Sequence, residues 1–313
     1  MSGVFFLRRE NMSKVILGKS RALIKFKDLI GQNNHFLITI LIGLDGVAKR
    51  EVTLGEDFST SWNPRDIDSS VTRSRHFAIK ATLSWIVDSI DAYFIMSNRT
   101  PKLIQGAQFI ESMDKAGQRV AMKLDAFRDN VKCLDVEYAL VKLAITWRNR
   151  LVHNFADNEL SEDARVILSN PTNKEYIKER YRGLNIKTVL QSFDASSKSV
   201  PKFKEITALV SASINFITDI DEKLVGTIDQ NIYADEIVNH YIMVDANSGS
   251  YSDKKERLKK VESIWTKDRE TKIKKIKNIF AQYGCIFLDT DLIVTNLSKL
   301  TVKDARQKFN LVD

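Results

Sequence analysis

A chain of 313 residues, 43% hydrophobic and 28% charged, is long enough to bury a sizeable core and reads as globular rather than disordered. No stretch reaches the ~18 uncharged apolar residues that a membrane-spanning helix requires, the longest being HFLITILIGL at 35–44, so no membrane partner is expected. The formal charge of +8 and a pI near 9.2 favour an anionic partner, nucleic acid being the commonest for a basic protein.

At the N-terminus, MSGVFFLRRE places its charge after its apolar residues and lacks a following small-residue cleavage site. That is the wrong order for a signal peptide, and cytoplasmic residence is expected. The only cysteines, Cys133 and Cys285, lie far apart, offering neither a disulfide framework nor a CxxC metal site. Residues 1–63 read as a small mixed α/β segment. In it HFLITILIGL and VAKREVTL flank the turn signal Asp45-Gly46, a hairpin pattern. LGKS at 17–20 imitates the end of a phosphate-binding loop, but Ser13 stands where the loop needs its first glycine, so no nucleotide cofactor is expected.

Residues 64–224 read as a helical domain. Its first helix should open at WNPRD, with Asn63 capping, Pro64 in the first turn and Asp66 near the positive end of the helix dipole, and run to Asn98. A second helix is expected over 105–131. A third should begin at Asp135 and carry VEYALVKLAITWRNRLVH, followed by a short helix near 161–169 that stops at Asn170 and Pro171. Further helices are expected over 173–192 and 201–224, separated by the serine-rich DASSKSV. The remaining 225–313 reads as a helical extension. It holds a long charged helix from 253 to 283, ended by Gly284 and including KIKKIKN at 272–278, which lacks acidic partners and adds positive field.

Histidine is scarce, with four in the chain. His35, His76 and His240 stand alone without metal-ligand spacing, and Asp289 and Asp291 are a carboxylate pair without a third ligand, so no metal is expected. His153 differs because it closes ITWRNRLVHN. Wound at ~100° per residue, the third helix places Val136, Leu140, Leu143, Trp147 and Leu151 on one face. Tyr138, Val141, Ile145, Asn149 and Val152 form a second stripe. A helix apolar on two faces needs a second covering element or a second copy of the chain. Arg148 and His153 flank the second stripe ~140° apart, too far for one helix to aim both at one small group. Two copies related by a two-fold axis would bring each Arg148 toward the partner copy's histidine.

RNRLVH also resembles the Arg-x4-6-His signature of HEPN domains, helical bundles found in ribonucleases of toxin–antitoxin, abortive-infection and CRISPR systems. Asn149 occupies the polar position that often follows the family's arginine. The resemblance covers about 64–224 and implies a HEPN-like bundle acting as a homodimeric, metal-independent endoribonuclease, a toxin or abortive-infection effector in antiviral defence. Arg148, Asn149 and His153 would be its catalytic residues. Histidine titrates near neutrality and suits transfer of the 2′-hydroxyl and 5′-oxygen protons, while arginine stays charged and forks onto phosphate. Asn149 would orient them. The residues after the motif, Asn154 and Phe155, differ from the tyrosine of members modified by a nucleotidyltransferase antitoxin, so the resemblance does not extend to that pairing. RNA, a second copy and an inhibitor or sensor protein are the expected partners. The competing expectation is a non-catalytic helical dimerisation or RNA-binding module in a larger defence complex; the plainest reading makes His153 a helix C-terminal cation and Arg148 and Arg150 ordinary surface charges. Asp88 and Asp91, on the first long helix, are candidates to buttress Arg148 from within the bundle.

Overall fold

The computed structural model describes residues 15–17, 20–52, 55, 62, 64–152, 158–196, 199–244, 250–287 and 292–311, with only the backbone described at 15–17 and 285–287. In chain order the elements are β1 (Val15–Leu17), α1 (Arg21–Ala48), α2 (Ile67–Ser97), α3 (Ala107–Ala116), α4 (Val120–Asn130), α5 (Asp135–Val152), α6 (Glu162–Ser169) and α7 (Pro171–Arg180). They continue with α8 (Ile186–Ala195), α9 (Phe203–Thr227), α10 (Gln230–Met243), α11 (Lys254–Trp265), α12 (Arg269–Gln282), β2 (Cys285–Phe287), α13 (Leu292–Lys299) and α14 (Val302–Lys308). The chain divides into a larger unit, residues 22–95 and 106–223, and a smaller one, residues 1–21, 96–105 and 224–313.

In the larger unit, α1 replaces the expected hairpin. A short apolar run fits either period, and here the helical one wins. Phe26, Ile30, Asn33 and Leu37 repeat every three or four residues and are all buried. Asp45-Gly46 ends this helix instead of turning a hairpin: Asp45 O and Gly46 O accept from the N–H groups of Lys49 and Glu51, and Arg50 takes a positive φ of 60°. Helix α2 lies antiparallel to α1, since Phe26 meets Tyr93, Asn33 Nδ2 donates to Thr82 O, and Phe36 meets the edge of Trp85. It starts at Ile67, three residues later than expected. Asp66 caps it by accepting from the backbone N–H of Ser69 at 3.0 Å, and Asn63 lies outside the described residues.

The span expected as one helix over 105–131 is α3 and α4. Gly117, at φ 55°, turns the chain and gives its N–H to Met113 O and Asp114 O. Asn170 and Pro171 do not merely stop α6. Asn170 accepts from the N–H groups of Thr172 and Asn173, and Pro171 sits where α7 needs no donor, so the pair starts a helix. The 173–192 helix is likewise broken into α7 and α8 by Arg182 and Gly183, both left-handed, with Asn185 capping α8.

Helix α5 is the axis of this unit. Every residue from Glu137 to Trp147 is buried, and Ala139, Leu140, Val141, Leu143 and Ala144 are fully so. Burying a helix on all sides requires partners for its polar side chains. Glu137 accepts from the hydroxyls of Tyr176 and Tyr181, both at 2.8 Å. Lys142 Nζ reaches both Asp125 carboxylate oxygens at 2.5 and 2.6 Å, and Thr146 Oγ1 donates to Lys142 O. Trp147 closes the buried run, with Nε1 on Ser199 O at 2.7 Å and its ring edge-on to Phe193. The second stripe is thus covered by the same chain: Tyr138, Val141 and Ile145 are at most 2% exposed. Of the two alternatives for this stripe, a covering element and a second copy, the covering element applies along its buried part, while Asn149 at its end is half-buried and Val152 is 48% exposed.

In the smaller unit, β1 pairs antiparallel with β2, Val15 opposite Phe287 and Leu17 opposite Cys285. The long charged helix is two helices, α11 and α12, because Asp268 turns its carboxylate back onto the Thr271 N–H and caps α12. Trp265 anchors α11, donating Nε1 to Leu297 O with its ring against Phe309. Gly284 follows α12 at φ 80°.

Candidate functional site

The last turn of α5 changes character because the buried run ends at Trp147. Arg148, Asn149, Arg150 and Leu151 are half-buried and Val152 is exposed. Arg150 follows Trp147 by three and Leu143 by seven residues, which places it on the packed side. Its guanidinium lies over the Phe193 ring, 3.8 Å from the centroid, with Nη1 on Phe193 O at 3.0 Å and Nε on Asn158 O. Those bonds commit Arg150 to holding α5 against α8.

Arg148 points elsewhere. Its Nη2 donates to Asp88 Oδ1 on α2 at 2.8 Å, and Nη1 donates to Asn149 Oδ1 at 3.0 Å. The two partners hold the guanidinium by its outer edge. Its Nε is buried and has no hydrogen-bond partner among the described residues. An arginine offers five N–H donors, so Arg148 keeps hydrogens on both terminal nitrogens for an added anion. The Arg148 side chain is 19% exposed and that of Asp88 69%, so water reaches the pair from the carboxylate side. Of the two aspartates expected as buttresses, Asp88 fills the role. Asp91 instead takes Lys123 Nζ at 2.6 Å.

The face of α2 that carries Asp88 is apolar and open. Phe77, Ala81, Trp85 and Asp88 are spaced four, four and three, all on the exposed side, with Phe77 74% exposed. Phe36 of α1 meets the edge of Trp85. An exposed aromatic stripe of this kind marks a contact surface more often than an isolated exposed side chain does. Periodicity alone would have placed Phe77 in the core with Phe94; the structure buries Phe94 and leaves Phe77 outside.

His153 lies outside the described residues, as do Gly18 and Lys19 of the LGKS stretch and Asp289 and Asp291. His35 and His76 are exposed. His240 Nδ1 meets the Tyr283 hydroxyl at 2.6 Å, and burial, then the charges of Arg21 and Lys260, hold its pKa below the usual histidine range. Among the described residues no group of three His, Cys, Asp or Glu side chains is placed to hold a metal ion. In KIKKIKN, Lys272 Nζ donates to Leu300 O and Lys275 Nζ to Ser263 O, near the C-terminal ends of α13 and α11. Those two lysines cap helices, leaving Lys274 and Lys277 for the positive field expected of the stretch. No family model, curated protein or solved structure matches this chain.

Proposed function

We propose that the chain is a HEPN-type endoribonuclease, metal-independent and active as a homodimer, an effector of toxin or abortive-infection type in antiviral defence. The observation that carries the reading is Arg148, held by Asp88 and Asn149 just past the buried run of α5 with donors to spare, five residues before His153 in the sequence. In the proposed reaction His153 takes the proton of the ribose 2′-hydroxyl or returns one to the leaving 5′-oxygen. Arg148 neutralises charge on the phosphorane-like transition state, and Asn149 orients the guanidinium. The 2′-oxygen attacks phosphorus as the P–O5′ bond breaks, giving a 2′,3′-cyclic phosphate and a 5′-hydroxyl. DNA lacks the attacking hydroxyl and resists. The second copy is proposed to dock on the Phe77–Trp85 stripe beside Arg148, since the middle of α5 is already covered.

A second reading is a non-catalytic dimerisation or RNA-binding module of a larger defence complex. It is favoured by the carboxylate of Asp88, which already neutralises Arg148 as a structural ion pair would. Incubating the protein with single-stranded RNA in EDTA separates the two. Cleavage by the wild type, lost by about a hundredfold or more in both Arg148→Ala and His153→Ala, supports the enzyme. Binding without cleavage, or cleavage that survives both substitutions, rejects it.

A further inference from the structure

A trough runs along the side of α1 away from the Phe77–Trp85 stripe. It consists of two hollows of about 390 and 690 Å³ that share Ile38 and Phe203. Its floor is aliphatic, made by Leu37, Ile38, Leu41 and Ile42 of α1 with Ile79 and Val210. The floor is not closed over: Ile38 is 50% exposed, Ile42 68% and Phe203 45%. From Asn34 to Asp45 the lining of α1 extends about 16 Å at 1.5 Å per residue, three turns of helix.

The rim carries cations beside both hollows. Arg180, Arg182 and Lys204 border the first and Arg75 and Lys202 the second, with Lys202 and Lys204 flanking the shared Phe203. Among the described residues of the lining the acidic side chain is Asp45, which is paired with Lys49 at 2.7 Å and Arg75 at 3.5 Å. The occupant must therefore be apolar along the floor and carry several anionic groups toward the rim. A fatty acid has one carboxylate and leaves most of these cations unmatched. Single-stranded RNA brings repeated charge but needs a run of aromatic platforms for its bases, and beside the aliphatic floor the lining offers Phe203 and His76, Tyr181 being 4% exposed.

We propose that this trough is a docking groove for an amphipathic helix of a partner protein, its aliphatic stripe laid along Ile38 and Ile42 and its Asp or Glu side chains meeting Arg180, Arg182 and Lys204 beside the first hollow and Lys202 beside the second. About three turns of such a helix match the trough in length. The groove does not involve Arg148, so the proposal stands or falls apart from the ribonuclease reading.

The test is a selection on the full-length chain carrying Arg148→Ala. The probe is a displayed library of 14-residue helices with leucine at i, i+3, i+4 and i+7 and a free mixture of Glu, Lys and Gln elsewhere. The proposal expects enriched helices rich in glutamate whose affinity falls about tenfold or more with Ile42→Asp and with Arg180→Glu. Both sites are exposed, and an unchanged circular-dichroism melt confirms that each variant is folded. No enrichment, enrichment of neutral or basic helices, or binding indifferent to both substitutions overturns it. So does an oligouridine 12-mer that binds and is lost with the same variants when no helix is selected.

Discussion

Glu137 is a carboxylate 1% exposed at the start of the central helix, and its bonds show how α5 is held. Both tyrosine hydroxyls reach the same oxygen, Oε1, at 2.8 Å. Tyr181 is 4% exposed, so losing this acceptor leaves its hydroxyl without water, although Asn215 Nδ2 still donates to its oxygen at 3.3 Å. Tyr176 is 38% exposed and can turn to solvent. Glu137→Ala therefore removes one fully buried charge-assisted hydrogen bond, worth about 1.5–3 kcal/mol, and opens a small cavity. Relief of the buried charge offsets part of that, for an expected net loss of about 2–3 kcal/mol. Glu137→Gln keeps an oxygen in place for both hydroxyls, and its expected loss is under about 1 kcal/mol. Urea unfolding followed by far-ultraviolet circular dichroism measures both, and a double-mutant cycle with Tyr181→Phe isolates the pair. A coupling of about 1.5 kcal/mol or more is expected. Equal losses for the Ala and Gln variants, or a coupling below about 0.5 kcal/mol, would refute the assignment of these bonds as what anchors the helix.

Other consequences follow from single sites. Burial, followed by the charge of Asp135, pushes the Cys133 thiol from an ordinary 9.0 up to about 11, so at pH 8 its thiolate fraction is about a hundredfold lower. Iodoacetamide should label the native chain correspondingly slowly and the urea-unfolded chain at the normal rate; equal rates contradict the burial. Burial also raises the Glu205 carboxyl above its ordinary 4.5, although it accepts from the Lys202 N–H at 2.7 Å. A raised carboxyl makes the folded state bind its proton more tightly than the unfolded one. Glu205→Gln should therefore be the more stable protein at pH 7, its advantage shrinking as pH falls through the raised pKa toward 4.5; urea titrations at pH 7 and pH 4 check this. Phe77→Asp, at a 74% exposed position, should leave unfolding within about 0.5 kcal/mol of wild type while shifting sedimentation from dimer to monomer. A dimer that survives the charge places the second copy elsewhere.

Long, strongly periodic segments were legible. The buried repeat of α5 appears directly in VEYALVKLAITW, and the element starts at the expected Asp135 and continues through Val152, beyond which His153 lies outside the described residues. What surrounds it was not legible. Glu137, Lys142 and Thr146 look like a polar flank, yet each is buried because Tyr181, Asp125 and the α5 backbone supply partners from afar in sequence or from the preceding turn. Helix breaks escaped for a local reason. In sequence Asp268 and Arg182 resemble any surface charge, whereas one caps α12 and the other takes a positive φ of 52° before Gly183. The hairpin failed because Phe, Ile and Thr in HFLITILI favour strand by propensity, while the burial of Asn33 against α2 and of Leu37 one turn on selects helix. At the site, the sequence singled out Arg148 and Asn149, and the structure places Arg148 Nη1 on Asn149 Oδ1 at 3.0 Å. The structural commitment of Arg150 was available from its position three residues after Trp147.

The most direct test is complementation between two inactive chains. In the proposed composite site, Arg148 of one copy works with His153 of the other. Mixing refolded Arg148→Ala and His153→Ala chains in equal amounts makes half the dimers mixed, each with one intact site of two, so about a quarter of wild-type RNA cleavage should return in EDTA. A mixture as inactive as either parent, under conditions in which the wild type cleaves and the chains exchange, contradicts the account.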